Sequence, residues 1–337
     1  MTTSPTDATD VDAPRSRRAT VILYAKWFFG AVALALLVVG VVRQWSKIVE
    51  GLAQIDLVTG ILAVAFTLVA LVCNMLSWKA VMSAVGSPVP LPAAVSIFFV
   101  GQLGKYIPGG VWSIAAQAEL GRAYGIARGP SALAAITSML IGMVTAAVVA
   151  VTGLLLSSSE GLATYWWLFV IAVVGLVVLA PPILGRLVNL ALRLLRRPAH
   201  VDHLTWTGTI GGFVWSVVMW VSYGVQATLL LRAFGASGPG LFALAMGAYA
   251  AAWLIGFLIV IAPAGLGARE GVLLLLLGTA TAPAAALSLA VVSRAIMTLG
   301  DVVLAGIGAL VASRRRRALA REEATSQSSG PSTRLSR

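Results

Sequence analysis

The sequence predicts an all-α fold: a polytopic membrane helix bundle of about eight spans plus a re-entrant broken-helix hairpin, arranged as an inverted repeat. Three observations predict it. Of 337 residues, 59% are hydrophobic and 11% are charged, where a soluble domain carries about 25% charged residues. Apolar runs of bilayer-crossing length recur along the whole chain. Two of those runs are interrupted by proline and glycine at corresponding places. A soluble enzyme of this size needs far more polar surface, and disorder needs the opposite balance of apolar and charged residues.

The elements follow in order from the requirement of about 20 apolar residues per membrane helix. Residues 1–21 hold Arg15, Arg17 and Arg18 against Asp7, Asp10 and Asp12 and read as a disordered cytoplasmic N-tail. The run 22–42 follows a long polar lead and is long enough to span, so it reads as an uncleaved signal anchor. Segment 43–57 mixes Arg43, Lys47, Glu50 and Asp56 with apolar residues and is expected to lie on the outer surface as an amphipathic helix. Further spans are predicted at 58–79, 131–156, 165–184, 206–231, 241–262 and 283–312. Within 185–205, Leu187, Leu190, Ala191 and Leu194 repeat at helical spacing between arginines, the pattern of a short interfacial helix. The stretch 92–125 breaks at Ile107-Pro108-Gly109-Gly110, and 262–280 breaks at Ala262-Pro263-Ala264-Gly265-Leu266-Gly267, leaving 266–280 as a thin eighth span. Residues 22–312 form the transmembrane domain, and 313–337 a disordered basic C-tail.

The net charge of +12 is distributed along this frame. The C-tail contributes seven arginines against Glu322 and Glu323, and the body 14 basic residues against seven acidic ones. The charge is scattered between apolar spans and peaks in four consecutive arginines at 314–317, a pattern that orients a membrane protein and touches anionic lipid rather than nucleic acid. Arg186, Arg193, Arg196 and Arg197 place loop 185–205 in the cytoplasm, with Lys79, Arg122 and Arg128 on the same side, and 157–164, which lacks basic residues, outside. Both termini are then cytoplasmic, and the expected location is the plasma (inner) membrane. The lone Cys73 excludes an intrachain disulfide. No metal or cofactor site and no catalytic constellation is expected.

The two interruptions resemble each other. Tyr106-Ile107-Pro108-Gly109-Gly110-Val111 parallels Ile261-Ala262-Pro263-Ala264-Gly265-Leu266, and the predicted topology enters them from opposite sides. Proline removes a backbone donor and glycine exposes the backbone, so a helix unwinds there. Unwound backbone at membrane depth survives only inside protein or along a wet cavity, and broken helices at matched positions of two halves point to a transport site.

At these residues the chain resembles a known family. Gly104-Lys105-Tyr106-Ile107-Pro108-Gly109-Gly110-Val111-Trp112 with Gln117-Ala118-Glu119-Leu120, and Pro263-Ala264-Gly265-Leu266-Gly267-Ala268-Arg269-Glu270-Gly271, are similar to motifs of the lysylphosphatidylglycerol synthase transmembrane region, a flippase-like family. The resemblance covers roughly residues 20–312 and implies an integral membrane protein that moves a lipid headgroup between leaflets. Aminoacyl-lipid synthases carry a cytoplasmic transferase domain after this region; after residue 312 only the 25-residue tail follows here, so the synthase activity is not expected.

Charges inside spans are costly and need a partner or a purpose. Arg294 and Asp301 lie seven residues apart, two turns along one face of the last span. That is about 10 Å, too far for direct contact, so each is expected to meet another element. Arg269 and Glu270 follow the second break, where a cation at a helix start suits a phosphate and Glu270 orients Arg269 or meets a cationic headgroup. At the first break, Lys105 precedes Gly109 and Gly110, whose amides suit an anion, while Glu119 and Arg122 are spaced to pair on one face. Tyr106 and Trp112 read as interfacial anchors. The candidate substrate-binding set is Lys105, Tyr106, Pro108, Gly109, Gly110, Gln117, Glu119, Arg122, Pro263, Gly265, Gly267, Arg269, Glu270, Arg294 and Asp301. The expected ligand is a membrane lipid, anionic or polyprenyl-phosphate-linked. The alternative function is a membrane subunit or enzyme of lipid or glycolipid modification, partnered with a separately encoded transferase.

Overall fold

The computed structural model describes residues 42, 45–107, 112–158, 166–194, 204–258, 267–278 and 280–328. Within them the helices are α1 (Trp45–Leu52), α2 (Leu57–Ala84), α3 (Leu91–Gln102, running into a tight turn Leu103–Tyr106), α4 (Trp112–Arg122), α5 (Arg128–Leu155), α6 (Leu168–Val178), α7 (Pro181–Leu194), α8 (Trp206–Ala233), α9 (Leu241–Leu258), α10 (Ala268–Leu277) and α11 (Pro283–Ser328). Local chemistry sets several boundaries. Asp56 caps α2, its Oδ1 accepting the Val58 and Thr59 amides at 3.0 and 3.1 Å. Pro92 sits in the first turn of α3, where its missing N–H costs nothing.

Five of these helices are long and apolar enough to cross a membrane: α2, α5, α8, α9 and α11 up to Ala318. The count is six if α6 and α7, bent 79° to one another, make one span. The expected eight is thus too high for the described residues. The predicted span 22–42 lies outside them. Helices α3, α4 and α10 have 12, 11 and 10 residues, about 15–18 Å of helix, half a bilayer core. The predicted span 165–184 stops at Val178, where Pro181 and Pro182 cannot continue its hydrogen bonding, and α7 begins there instead of at Leu187. Helix α1 lies in the segment expected to be amphipathic, but it docks on α11: a Cβ on Gly51 would sit 2.7 Å from a Val292 methyl. Helix α11 also runs past 312 to Ser328, because its Ala-, Arg- and Glu-rich continuation strongly favours helix.

The helices form two copies of one unit, a long helix, two shorter helices and a second long helix: α2–α3–α4–α5 and α8–α9–α10–α11. A shift of 155 residues carries Pro108 onto Pro263, Arg128 (first of α5) onto Pro283 (first of α11), and Gly153 onto Gly308. The packing obeys the same exchange. Helix α5 packs on α9, and α11 on α3; α8 packs on α5, and α2 on α11. The crossings share their chemistry. Gly153 lies against the backbone of Ala243 and Gly247, and Gly308 against the carbonyl of Val95, so both long helices approach the second helix of the other unit through a glycine. The equivalent helices α2 and α8 pack on each other with Ala84, Val81 and Ser77 facing Gly208, Gly212 and Ser216 in turn, which makes them antiparallel. A two-fold relating antiparallel neighbours lies perpendicular to them, in the membrane plane, so the repeat is inverted.

Basic residues gather at one end of this bundle. Arg315 stacks on the Tyr124 ring at 4.1 Å, which brings the end of α11 to the α4–α5 corner with Arg122 and Arg128. The start of α8 joins the end of α2 there, with the Thr205 amide donating to the Ala84 carbonyl at 3.2 Å.

Candidate functional site

The charged residues of α10 and α11 meet the end of α3 inside the bundle. Gly267, at φ 87°, turns the chain out of the second break in a conformation that favours glycine. Its amide donates to Glu270 Oε2 at 2.7 Å. The other oxygen of Glu270 accepts from Arg294 Nη1 at 2.9 Å, with both side chains largely buried. Glu270 therefore ties the start of α10 to α11 and does not orient Arg269, as one sequence reading expected.

Two turns along α11, Asp301 is 3% exposed. Its Oδ2 receives the Lys105 ammonium at 2.6 Å and the Tyr106 hydroxyl at 2.6 Å, and Thr298 Oγ1 lies 3.3 Å from the same hydroxyl. Arg294 and Asp301 are thus each partnered by a different element. Lys105 forms an ion pair rather than reaching for the interface, and Tyr106 is buried rather than an interfacial anchor.

Arg269 differs from both pairs. It is 5% exposed, and its guanidinium sits over the Tyr249 ring at 4.4 Å. Its Nε and Nη2 have no hydrogen-bond partner among the described residues, and neither has the Tyr249 hydroxyl. Tyr249 packs against Tyr223 with ring centroids 5.4 Å apart. Tyr223 is within electrostatic reach of Arg269, Asp301 and Tyr106, and Arg294 of Arg269 and Tyr106. The arrangement is one cluster: two closed ion pairs and an open arginine.

Other sequence candidates lie elsewhere. Glu119 accepts from Arg128 Nε and Nη2 at 3.2 and 2.8 Å and lies 3.7 Å from Arg122, in an exposed network at the basic end. Gln117 is buried in the α3–α4 hairpin against Gly101. Pro108, Gly109, Gly110, Pro263 and Gly265 fall outside the described residues. A cavity of about 260 Å³ lined by Pro88, Pro90, Pro92, Tyr124 and Arg315 opens at the basic end, away from the cluster. Sequence reasoning missed Tyr223, Tyr249 and Thr298. Thr298 was within reach of it, since it falls between Arg294 and Asp301 on their face of α11; the two tyrosines carry no pattern apart from being hydroxyl-bearing rings in apolar spans.

An inverted pair of helical units that buries an ionic cluster beside its half-helices defines a multi-pass membrane protein with an internal polar site. The chain belongs to the family described as Lysylphosphatidylglycerol synthase TM region, which its residues 28–306 match. No curated protein matches the chain.

Proposed function

We propose that the protein is a flippase-like lipid translocase of the plasma (inner) membrane, which moves a phosphate-bearing headgroup between leaflets while the acyl or polyprenyl tails stay in the bilayer. The observation that carries this reading is Arg269: a buried guanidinium with an open edge, at the start of a half-helix, inside an inverted repeat. The helix start and the guanidinium both favour an anion. The Lys105–Asp301 and Arg294–Glu270 pairs fasten the half-helix units to α11, so that breaking and remaking them would let the repeats exchange roles in alternating access. By the positive-inside rule, the end bearing Arg122, Arg128 and the arginines at 314–317 faces the cytoplasm, with both termini on that side. The protein performs no covalent chemistry in this reading.

The test is a leaflet-resolved assay in proteoliposomes, with a fluorescent phospholipid whose outer-leaflet population is bleached by a membrane-impermeant reductant. Wild type is expected to expose lipid from the inner leaflet faster than empty vesicles. Arg269→Gln should fall to the empty-vesicle rate. Equal rates for wild type and empty vesicles with every phosphate-bearing lipid tried would refute the reading.

A further inference from the structure

We propose that Asp301 is a proton-carrying site, opened and closed by the turn that bears Lys105 and Tyr106, and that proton movement through it drives the transport. The inference rests on the translocase reading. It follows from how the two buried ion pairs differ. Arg294–Glu270 lies within the second unit, and Glu270 has a further donor, the Gly267 amide at 2.7 Å. Lys105–Asp301 joins the first unit to the second. Both donors to Asp301, the Lys105 ammonium and the Tyr106 hydroxyl at 2.6 Å each, come from consecutive residues of one tight turn, Leu103–Tyr106. A single displacement of that turn removes both.

Unequal burial decides where the proton goes. The Lys105 side chain is 25% exposed, so it leaves as a hydrated ammonium and keeps its proton. Asp301 is 3% exposed and stays on α11. A carboxylate stripped of its donors in an apolar interior neutralises rather than remain charged, and acids within spans are what proton relays are built from. The titratable and charged groups around Asp301 are Lys105 and Tyr106 of the turn, Arg269 and Glu270 of α10, Tyr223 of α8, and Arg294 on α11 itself. On α2, the uncharged Thr67, Leu68 and Leu71 face Gly300, the neighbour of Asp301; α1 meets α11 nearer its start, at Val292, and its Glu50 is exposed. The breaks beside the cluster, 107–110 and 262–267, hold no titratable residue. Once the turn withdraws, the hydroxyl of Thr298 is what remains on the same face of α11. Arg294 is matched by Glu270, and Arg269 is the cation that opposes proton uptake until a bound headgroup covers it, which ties the proton to a loaded site. The step is a protonation alone: a proton from water binds an Asp301 oxygen as the ammonium moves off. When the turn returns, the carboxyl gives that proton back to water and the pair re-forms. With the inverted repeats opening to opposite sides in turn, uptake and release face opposite sides and each cycle carries one proton across.

Two measurements test this. The first is the infrared spectrum of the full-length protein in detergent at neutral pH, read at the carbonyl stretch of a protonated carboxyl. Lys105→Met with Tyr106→Phe should show a band that is absent from wild type and lost again when Asp301→Asn is added. The second needs no such variant, so it serves if that one does not fold: the leaflet assay in proteoliposomes with an imposed pH gradient. Wild type should accumulate the fluorescent phospholipid in one leaflet by about tenfold for a gradient of about one pH unit, and reversing the gradient should reverse the accumulation. Asp301→Asn should show no accumulation beyond empty vesicles. No band in the double variant, a band that survives Asp301→Asn, or gradient-driven accumulation that persists in Asp301→Asn would overturn the proposal. Lipid transfer by wild type that ignores the gradient would also overturn it and leave the translocase reading standing. An Asp301-dependent band in a protein that transfers no lipid would sink the translocase reading and leave the proton site standing.

Discussion

The Lys105–Asp301 pair yields the sharpest stability test, because its two partners are unequally buried. Asp301 is 3% exposed and Lys105 25% exposed on their side chains, with 2.6 Å between charges. Removing one partner of a buried pair costs about 3–5 kcal/mol, and replacing both with apolar groups of similar size is often close to neutral. Lys105→Met strands a carboxylate that keeps, among the described residues, only the Tyr106 hydroxyl, so it should fall near the upper end, about 4–5 kcal/mol. Asp301→Asn strands an ammonium that reaches solvent, so it should fall near the lower end, about 3 kcal/mol. Lys105→Met with Asp301→Leu should stay within about 1 kcal/mol of wild type. At about 2 °C per kcal/mol for a chain of this size, thermal unfolding in detergent should drop by about 8–10 °C, about 6 °C and at most about 2 °C. Additive losses, with the double variant as low as the two singles combined, would refute the buried-pair argument.

Three further outcomes follow. Gly104→Ala should open the α3–α4 hairpin, because its Cβ would stand 2.6–2.8 Å from the backbone of Trp112 and Ser113; a loss of about 1–3 kcal/mol is expected, and an unchanged melting temperature would count against the close packing. Gly153→Ala should destabilise more than Gly308→Ala, since it meets the Ala243 carbonyl at 2.7 Å and Gly247 Cα at 2.8 Å, whereas Gly308 meets only the Val95 carbonyl within 3 Å; the reverse order in melts would disprove the crossing geometry. The Thr59 hydroxyl and amide, with the Val58 amide, hold the Asp56 carboxyl below its ordinary value of 3.8. A lowered folded-state value means that the cap contributes fully above that value and is lost as pH falls through the lower one. Hydrogen exchange at Val58 and Thr59 should therefore lose protection only under acid conditions, and protection that persists in Asp56→Ala would rule the cap out.

Much of the architecture was legible because membrane helices announce themselves by length. The runs 58–79, 131–156, 206–231, 241–262 and 283–312 all correspond to long helices; the predicted breaks at 107–110 and 262–267 lie largely outside the described residues, but the helices on either side of them are separate elements. Where length is not decisive, the sequence misled. In 165–184 the apolar composition outlasts the helix, because a Pro-Pro pair bends the chain without making it polar. Segment 266–280 is apolar enough to suggest a span but is only half a span long. Among the charges, spacing told correctly that Arg294 and Asp301 do not meet. It could not assign their partners, since contacts 24 and 195 residues apart in sequence depend on how α3, α10 and α11 pack. That Arg269 is the open cation was invisible for the same reason: all three cations look equivalent until two of them have found carboxylates.

The repeat is symmetric in its backbone and asymmetric in its chemistry, and that contrast says what each half contributes. The shift of 155 residues that superposes the breaks and the glycine crossings carries Arg269 onto Ile114, Glu270 onto Ala115, Arg294 onto Met139 and Asp301 onto Ala146. In the reverse direction Lys105 falls on Val260 and Tyr106 on Ile261. No charge of the cluster has a charged counterpart. Packing demands explain the symmetric part: the second helix of one unit must be crossed closely by the last helix of the other, which glycine permits in both copies. They do not explain buried ions in one copy, since the other copy fills the same positions with Ile, Ala and Met and buries Ala146 fully. A fold that needed those charges for stability would need them twice. Their confinement to the second unit, closed by Lys105 and Tyr106 from the first, is the asymmetry that the proposed ligand site requires, with the first unit's helices as the surface that faces the charged unit.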